Sequence, residues 1–87
     1  VAYPAIRWME DGTWRNSIEL FDRRGESMGF YDKNYPVTTE TTESGVLAGR
    51  EAPLFECDFG RVGCAICFDL NFDGIRTQYV ASRPDLI

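Results

Sequence analysis

Histidine is absent from this 87-residue chain, and its only lysine is Lys33, against eight arginines. Because the imidazole is missing, these residues alone cannot form a Cys-His catalytic pair. A zinc site is also not expected, since three cysteines without histidine do not make the usual four-ligand set. A nucleophilic cysteine in this chain would therefore need a carboxylate as its base, or a base from outside the chain.

Disulfide frameworks, basic runs and long apolar runs are missing as well. The three cysteines, Cys57, Cys64 and Cys67, are an odd number without the spacing of a disulfide scaffold, so a reducing cytoplasm is the simplest compartment. The net charge is −5 and the acids are scattered, which argues against nucleic acid or an anionic membrane as a partner. No apolar stretch is long enough to span a bilayer, and the first residues do not form a signal peptide.

The first third of the chain predicts an antiparallel meander, because apolar and polar residues alternate between turn signals. The predicted strands are Val1–Trp8, Trp14–Asp22 and Ser27–Lys33. A polar stretch follows, Asn34–Arg50, which is rich in Thr, Glu, Ser and Gly. Its composition predicts an irregular loop.

The rest of the chain predicts a strand-helix-strand unit. Its elements are a hairpin of Leu54–Asp58 with Val62–Ile66, a helix over Phe72–Arg83, and a final strand that begins at Asp85–Ile87. The helix is predicted from the spacing of its apolar residues, and Pro84 would end it. Hairpins followed by a helix and a strand indicate a mixed α/β fold.

Cys67 lies where the predicted strand Val62–Ile66 ends and helical spacing begins. Side chains alternate along a strand, so Cys64 and Cys67 point to opposite faces, and Cys64 is predicted to lie in the core. The small residues on the face of Cys67, Gly63 and Ala65, leave space in front of its sulfur. Backbone N–H groups and a positive helix end at such a junction favour a thiolate and can bind an oxyanion.

The segment Phe59–Phe72, which reads FGRVGCAICFDLNF, resembles the nucleophile segment of the nitrilase superfamily of carbon-nitrogen hydrolases. In that family a strand of small and apolar residues delivers a cysteine that is followed by an aromatic residue and an acid. The resemblance extends to Tyr31–Lys33, Gly25, the Gly45–Gly49 loop and the closing Pro84–Ile87. It implies the αββα four-layer sandwich of the family, with mixed, mostly antiparallel sheets and a helix after the nucleophile strand.

Members of that family are considerably longer than this chain, and 87 residues bury only a modest core. Residues 1–87 are therefore expected to be a partial carbon-nitrogen hydrolase domain that lacks its N-terminal and C-terminal parts. The family's general-base glutamate lies upstream of the matching segment and is expected to have no counterpart here. By resemblance, the full-length protein is a homodimer or a larger homo-oligomer.

The resemblance implies a Glu-Lys-Cys triad in which Cys67 is the nucleophile and Lys33 is the lysine. On position alone, Lys33 would be an exposed residue that keeps a strand edge soluble. In the family its compact ammonium suits a developing oxyanion. A second active-site glutamate follows the lysine, and Glu40 matches it by spacing, with Glu43 as the alternative. The backbone N–H of Phe68 is expected to complete the oxyanion site.

Asp69 and Asn71 are candidates to shape the substrate pocket or to anchor the turn around the cysteine. Capping of the following helix, or pairing with neighbouring backbone, explains both residues equally well. The implied reaction is hydrolysis of an amide or N-carbamoyl carbon-nitrogen bond through a cysteine thioester, giving a carboxylic acid and ammonia or an amine. A small-molecule substrate is expected, and no metal or organic cofactor.

Three other interpretations stay open. One is a nitrile hydrolase of the same family, although Phe68 and Asp69 stand where true nitrilases have a Trp-Glu pair. Another is an inactive scaffold, since these residues alone are expected to be inactive without the upstream glutamate. The third is a thiol redox protein, because Cys64 and Cys67 form a C-x-x-C. Their opposite faces on the strand argue against it, since redox pairs normally lie together at a helix start.

Overall fold

Three antiparallel strands form the larger of two sheets in the computed structural model, which describes residues 1–87. They are β1 (Ala2–Trp8), β2 (Trp14–Phe21) and β3 (Ser27–Asp32), and they lie in the order β1-β2-β3. Trp8 pairs with Trp14 at the first hairpin, where the two rings meet edge to face with 4.3 Å between centroids. The predicted meander is confirmed, and each strand end lies within one residue of its prediction.

The pairing of β2 with β3 decides where the end of β3 lies. Ser17 on β2 is opposite Asp32 on β3, and the next N–H group, that of Lys33, donates to the Asn16 carbonyl at 2.8 Å. The Asp32 carboxylate is also held by Arg7 of β1, whose Nη2 donates to its two oxygens at 2.7 and 2.6 Å. Contacts to both other strands therefore define the end of β3.

A short helix, α1 (Thr38–Glu43), lies inside the stretch Asn34–Arg50, so the prediction of an irregular loop is wrong there. Threonine is a poor helix former. However, the Glu40 carboxylate accepts the backbone N–H of Val37 at 3.1 Å and satisfies a free donor at the helix start. Beyond the helix, Val46 forms a bridge with β2. Side-chain and tertiary contacts thus stabilise a helix that composition does not indicate.

The second sheet is a two-stranded hairpin of β4 (Phe55–Cys57) and β5 (Gly60–Val62). The near arm, β4, lies within its predicted range, but the prediction of the far arm is wrong, because β5 shares only Val62 with the predicted strand Val62–Ile66. The Gly63 N–H donates to the C-terminal segment, and the N–H groups of Cys64 and Ile66 donate to side chains instead of to a neighbouring strand. Side-chain partners have therefore replaced the sheet ladder in this segment.

A 3-10 turn (Cys67–Asn71) precedes the second helix, α2 (Asp73–Ser82). The predicted helix is confirmed to within one residue at each end. Arg83 ends it in the left-handed region, with φ of 54°, and Pro84 follows. Where a final strand is predicted, a single parallel bridge joins Leu86 to β5.

One buried cluster joins both sheets to α2. Its six members are Leu20, Tyr31, Phe55, Cys64, Ile75 and Tyr79. Cys64 is therefore in the core, as predicted. The cluster connects the strand that leads to Lys33 with the segment that leads to Cys67. Neither helix has the length and apolar character that a membrane crossing requires.

Candidate active site

Cys67 is exposed, and its backbone adopts a conformation that few non-glycine residues adopt. Its φ is +48°, in the left-handed region. The preceding residue, Ile66, is extended, with φ of −120° and ψ of 111°. The chain therefore bends sharply at the cysteine, and we call Gly63–Asn71 the elbow. Such backbone costs roughly 1–3 kcal/mol and is concentrated at functional sites.

The backbone N–H groups of Cys67 and Phe68 are free in the elbow, because neither donates to a protein acceptor. The following N–H, that of Asp69, donates to the Ile66 carbonyl at 3.0 Å and closes the turn. Free N–H donors beside an exposed thiol are suited to bind an oxyanion. The assignment of Phe68 as such a donor stays a prediction, which this geometry supports.

The small residue Gly63 serves a different purpose from the predicted one. A Cβ at this position would lie 2.5 Å from Cε1 of Tyr79, so the ring of this tyrosine fills the space beside Gly63. The Tyr79 hydroxyl accepts the N–H of Cys64 at 2.7 Å and donates to the Cys64 carbonyl. Burial raises the pKa of Tyr79, so the hydroxyl keeps the proton that it donates. One side chain of α2 therefore holds the start of the elbow.

Asp69 is fully buried and binds three parts of the chain. Its Oδ2 accepts the Tyr31 hydroxyl at 2.6 Å and the Ile66 N–H at 2.8 Å, and its Oδ1 accepts the Tyr35 N–H at 2.8 Å. Burial and the hydrogen bond to Asp69 raise the pKa of Tyr31 far above its ordinary value, so this phenol remains a donor. The geometry supports anchoring of the elbow, and it leaves no surface of Asp69 to line a pocket.

A second set of contacts joins residues Tyr31–Tyr35, which we call the lysine segment, to the elbow. The Tyr35 ring stacks on Phe72 with 4.4 Å between centroids, and Phe72 meets Phe68 edge to face at 5.1 Å. Gly74 leaves room for the Tyr35 hydroxyl, since a Cβ there would overlap with its oxygen. The Phe68 side chain is thus part of an aromatic cluster that packs the elbow against residues after β3.

Lys33 is buried, with 4% of its surface exposed, so the position-based expectation of an exposed lysine is wrong. Its Nζ donates to Glu40 Oε1 at 2.6 Å, which is the only hydrogen bond of the ammonium. An ammonium removed from water needs a counter-charge of this kind. Since an ammonium carries three donors, the others are available to a further acceptor.

Glu40 reaches Lys33 from the first turn of α1, and both of its oxygens are occupied. Oε1 accepts the Lys33 ammonium and the Val37 N–H, and Oε2 accepts the side-chain amide of Asn16 at 2.9 Å. Burial alone would raise the pKa of the Glu40 carboxyl, but these hydrogen bonds outweigh it and hold the pKa below its ordinary value. Glu43, the alternative by spacing, is exposed, and its side chain has no protein partner.

Lys33, Glu40 and Asn16 are joined by hydrogen bonds, and we call them the lysine cluster. Asn16 is the member of this cluster that sequence reasoning missed. Asparagine is depleted in strands, so an amide in the middle of β2 was the one available signal. Its proximity to Lys33 and Glu40 depends on the strand register and on the path of α1, and neither can be read from local pattern.

The remaining candidate groups lie apart from this cluster. Asn71 is exposed at the end of the 3-10 turn and its amide contacts no protein group, so its place beside a substrate stays a prediction. The three cysteines are free thiols, with Cys64 buried and Cys67 exposed. No group of three or more His, Cys, Asp or Glu side chains is placed to hold a metal ion.

A model of the carbon-nitrogen hydrolase family matches residues 1–87. A bifunctional nitrilase/nitrile hydratase, NIT4B from Lupinus angustifolius, is 27% identical over 70 residues, which are 80% of this chain and 20% of that protein. The solved structure of a glutamine-dependent NAD+ synthetase from Acinetobacter baumannii matches with a TM-score of 0.80 at 23% identity, over 98% of this chain and 16% of that one. The chain thus spans a fifth or less of the length of these relatives. The structural match confirms the predicted fold class, a mixed α/β fold with antiparallel sheets.

Proposed function

Because the chain belongs to the carbon-nitrogen hydrolase family of the nitrilase superfamily, we propose that the full-length protein hydrolyses a non-peptide carbon-nitrogen bond through a thioester on Cys67. The proposed substrate is a small amide or N-carbamoyl compound. An amide gives a carboxylic acid and ammonia or an amine, and an N-carbamoyl compound gives an amine and carbamic acid, which breaks down to carbon dioxide and ammonia. Residues 1–87 are proposed to be an internal part of the catalytic domain. The general-base glutamate would lie outside them, and the whole protein would be a homodimer or larger.

The observation that carries the proposal is the connection between an exposed thiol and a buried ammonium through one carboxylate. Asp69 accepts the N–H group just before Cys67, and it also accepts the Tyr31 hydroxyl and the Tyr35 N–H on either side of Lys33. The Cys67 thiol and the Lys33 ammonium therefore belong to two segments that are held together by hydrogen bonds to Asp69. Covalent catalysis needs its reacting groups held in this way.

In the first half-reaction, the glutamate outside this chain takes the proton of the Cys67 thiol while the sulfur attacks the amide carbon. A C–S bond forms, and the carbonyl oxygen becomes an oxyanion that the Lys33 ammonium and the Phe68 N–H stabilise. The glutamate then returns its proton to the nitrogen, the C–N bond breaks, and ammonia or an amine leaves. The acyl group remains on Cys67 as a thioester.

In the second half-reaction, the same glutamate takes a proton from a water molecule, whose oxygen attacks the thioester carbon. The C–S bond then breaks, the sulfur regains its proton from the glutamate, and the carboxylic acid is released. Glu40 is proposed as the second active-site glutamate, which holds the Lys33 ammonium in place. Asn71 remains the candidate at the edge of the substrate pocket.

A nitrile is the second candidate substrate, because NIT4B, which shares 27% identity with this chain, is a nitrilase/nitrile hydratase. The thiol would add to the nitrile carbon to form a thioimidate. One water would release the amide and the free thiol, or the thioimidate would lose ammonia to give a thioester, which a second water would hydrolyse to the acid and the free thiol. The amide substrate remains our first choice, since Phe68 and Asp69 follow Cys67 in place of the Trp-Glu pair.

The test is a substrate panel on the full-length protein, with short amides, N-carbamoyl compounds and nitriles. Ammonia release is measured for each, and mass spectrometry of the quenched protein detects an acyl group on Cys67. Cys67→Ala should abolish both signals. Cys57→Ala is the matched control, because Cys57 is a free, partly buried thiol on β4, outside the elbow.

Turnover of amides or N-carbamoyl compounds with loss of activity only in C67A is the expected result. Turnover of nitriles alone would favour the second candidate. Activity that survives in C67A, or a folded full-length protein that hydrolyses no member of the panel, would refute the proposed function.

A further inference from the structure

We propose that Asn16 is a positioning residue for this reaction, because its side-chain amide orients Glu40 and, through Glu40, the Lys33 ammonium. The inference rests on the proposed function, in which Lys33 stabilises the oxyanion. Asn16 belongs to β2 and is not among the residues that the resemblance to the nitrilase superfamily singled out.

Asn16 contacts the lysine cluster twice. Its backbone carbonyl accepts the Lys33 N–H at 2.8 Å, and its Nδ2 donates to Glu40 Oε2 at 2.9 Å. Glu40 Oε1 in turn forms an ion pair with Lys33 Nζ, and the two atoms are 2.6 Å apart. The three residues thus form a closed ring of contacts between β2, α1 and the end of β3.

The chemistry of an amide suits this position. The terminal bond of a glutamate side chain has broad torsional freedom, so a carboxylate bound through one oxygen can turn away from its partner. Nδ2 of Asn16 binds the second oxygen and so sets the plane of the Glu40 carboxylate. An amide donates without a charge, so it does not compete with Lys33 as the counter-ion. The ammonium can then direct its other donors to the oxyanion.

Few other charged groups are in position to interact with Asn16, Glu40 and Lys33. Lys33 is the only charged group in contact with Glu40. On β2, Arg15 donates to groups of the two residues before it, at 2.9 and 3.0 Å. On β3, the Asp32 carboxylate is paired with Arg7. A negative charge introduced at position 16 would therefore act mainly on Glu40 and Lys33.

The test compares Asn16→Asp and Asn16→Ala in the full-length protein, with an amide from the panel as the probe. N16D keeps the shape of the side chain but loses the donor when ionised, and N16A removes the donor altogether. Both should lower kcat by roughly tenfold or more, with little change in KM, since a hydrogen bond to a charged group is lost.

The pH profile separates positioning from a general structural role. As the pH falls, the new carboxyl in N16D becomes protonated and can donate to Glu40 again. The like charge of the Glu40 carboxylate should raise the pKa of this carboxyl above the ordinary value of an aspartate, about 3.9. The ratio of N16D activity to wild-type activity should therefore rise as the pH is lowered from about 7 to about 4.5. The corresponding ratio for N16A should stay level.

Gln78→Glu is the matched control for an amide-to-carboxylate change. Gln78 is exposed on α2, and its Oε1 accepts the Ala52 N–H at 3.1 Å, a contact that a carboxylate keeps. Q78E should have wild-type activity at each pH. The comparison of N16D with Q78E thus separates the loss of the Asn16 donor from a general effect of one added negative charge.

A second readout needs no turnover. Acetic anhydride acylates accessible uncharged amines, and mass spectrometry of the peptide that contains Lys33 gives its rate. That rate should rise several-fold in N16A relative to a lysine-containing peptide added as an internal standard, and it should not change in Q78E. Asn16→Ser takes the place of N16A in both measurements if N16A does not fold.

An activity ratio for N16D that does not change with pH, or an unchanged Lys33 acylation rate in N16A, would overturn the role of Asn16. If the panel shows no turnover by the wild-type protein, the proposed function has failed. The acylation rate alone then decides whether Asn16 holds the Lys33 and Glu40 pair.

Discussion

The elbow and the lysine segment are held in place by different kinds of contact. In the elbow, Gly63–Asn71, backbone groups bond to the Tyr79 hydroxyl and the Asp69 carboxylate. Lys33 instead continues the ladder of the larger sheet, and its ammonium is held by an ion pair with Glu40. The nucleophile thus depends on a few side chains, and the lysine backbone depends on a sheet.

This difference suggests how each region responds to mutation. A strained turn held by single side chains loses its shape when one of them is removed, so stability and activity should fall together. A strand end in a ladder keeps its position when its side chain changes. Variants of the lysine cluster should therefore change activity more than stability.

The largest expected effect is on activity, from Lys33→Met in the full-length protein. Methionine keeps an apolar stem but removes the charge that meets the oxyanion, so kcat should fall by roughly a hundredfold to a thousandfold. The free energy of unfolding should fall by only about 1 kcal/mol, because Glu40 keeps its bonds from Asn16 and Val37. Steady-state kinetics and urea denaturation measure the two quantities.

Lys33→Arg serves as the charge-conserving control for that variant. The broad, planar guanidinium cannot take the place of a compact ammonium in a buried site, so K33R should recover little of the lost activity. Near-normal kcat in K33M would show that the ammonium does not stabilise the oxyanion.

A loss of stability of about 3 kcal/mol is expected from Asp69→Ala, because the N–H groups of Ile66 and Tyr35 and the hydroxyl of Tyr31 would lose a buried acceptor. Urea denaturation of the full-length protein measures it, and activity should fall with stability. Tyr31→Phe removes one of these bonds and should cost about 1 kcal/mol. If D69A were as stable as the wild type, Asp69 would not be the anchor of the elbow.

A smaller effect on stability than that of D69A is expected from Glu40→Gln, and it should depend on pH. The pKa of Glu40 in the folded protein lies below its ordinary value of 4.5, so the ionised carboxylate contributes stability above that pH and loses it as the pH falls through the folded pKa. The difference in free energy of unfolding between wild type and E40Q should be about 1 kcal/mol at neutral pH. It should then shrink toward zero under acidic conditions.

Glu43→Gln is the matched control, since Glu43 lies in the same helix and is exposed without a partner. Its free energy of unfolding should equal that of the wild type across the pH range. A difference for E40Q that grows on acidification would contradict a stabilising ion pair between Lys33 and Glu40.

Local pattern predicted the elements of the fold better than it predicted their partners. The meander, β4, α2 and the burial of Cys64 were all predicted, because alternation and helical spacing are properties of neighbouring residues. The helix α1 was missed, since its start depends on the Glu40 side chain. The end of β5 was misplaced because Tyr79 and Asp69 replace the strand partner.

The candidate site divides in the same way. The resemblance singled out Cys67, Lys33 and Glu40, and the structure joins Lys33 to Glu40 in an ion pair. The burial of Asp69 and the contact of Asn16 with Glu40 could not be predicted. Both depend on which segments of the chain come into contact in the folded protein, and the spacing of residues along the sequence does not show this.

By itself, the sequence determined the family, the order of strands and helices, and the residue types that can act as nucleophile and cation, because these follow from motif and periodicity. Only the tertiary structure decided that Lys33 is buried against a carboxylate and that Asp69 ties its segment to the elbow. The physical reason is that buried charges and buried donors select partners by distance, and folding brings those partners from distant parts of the chain.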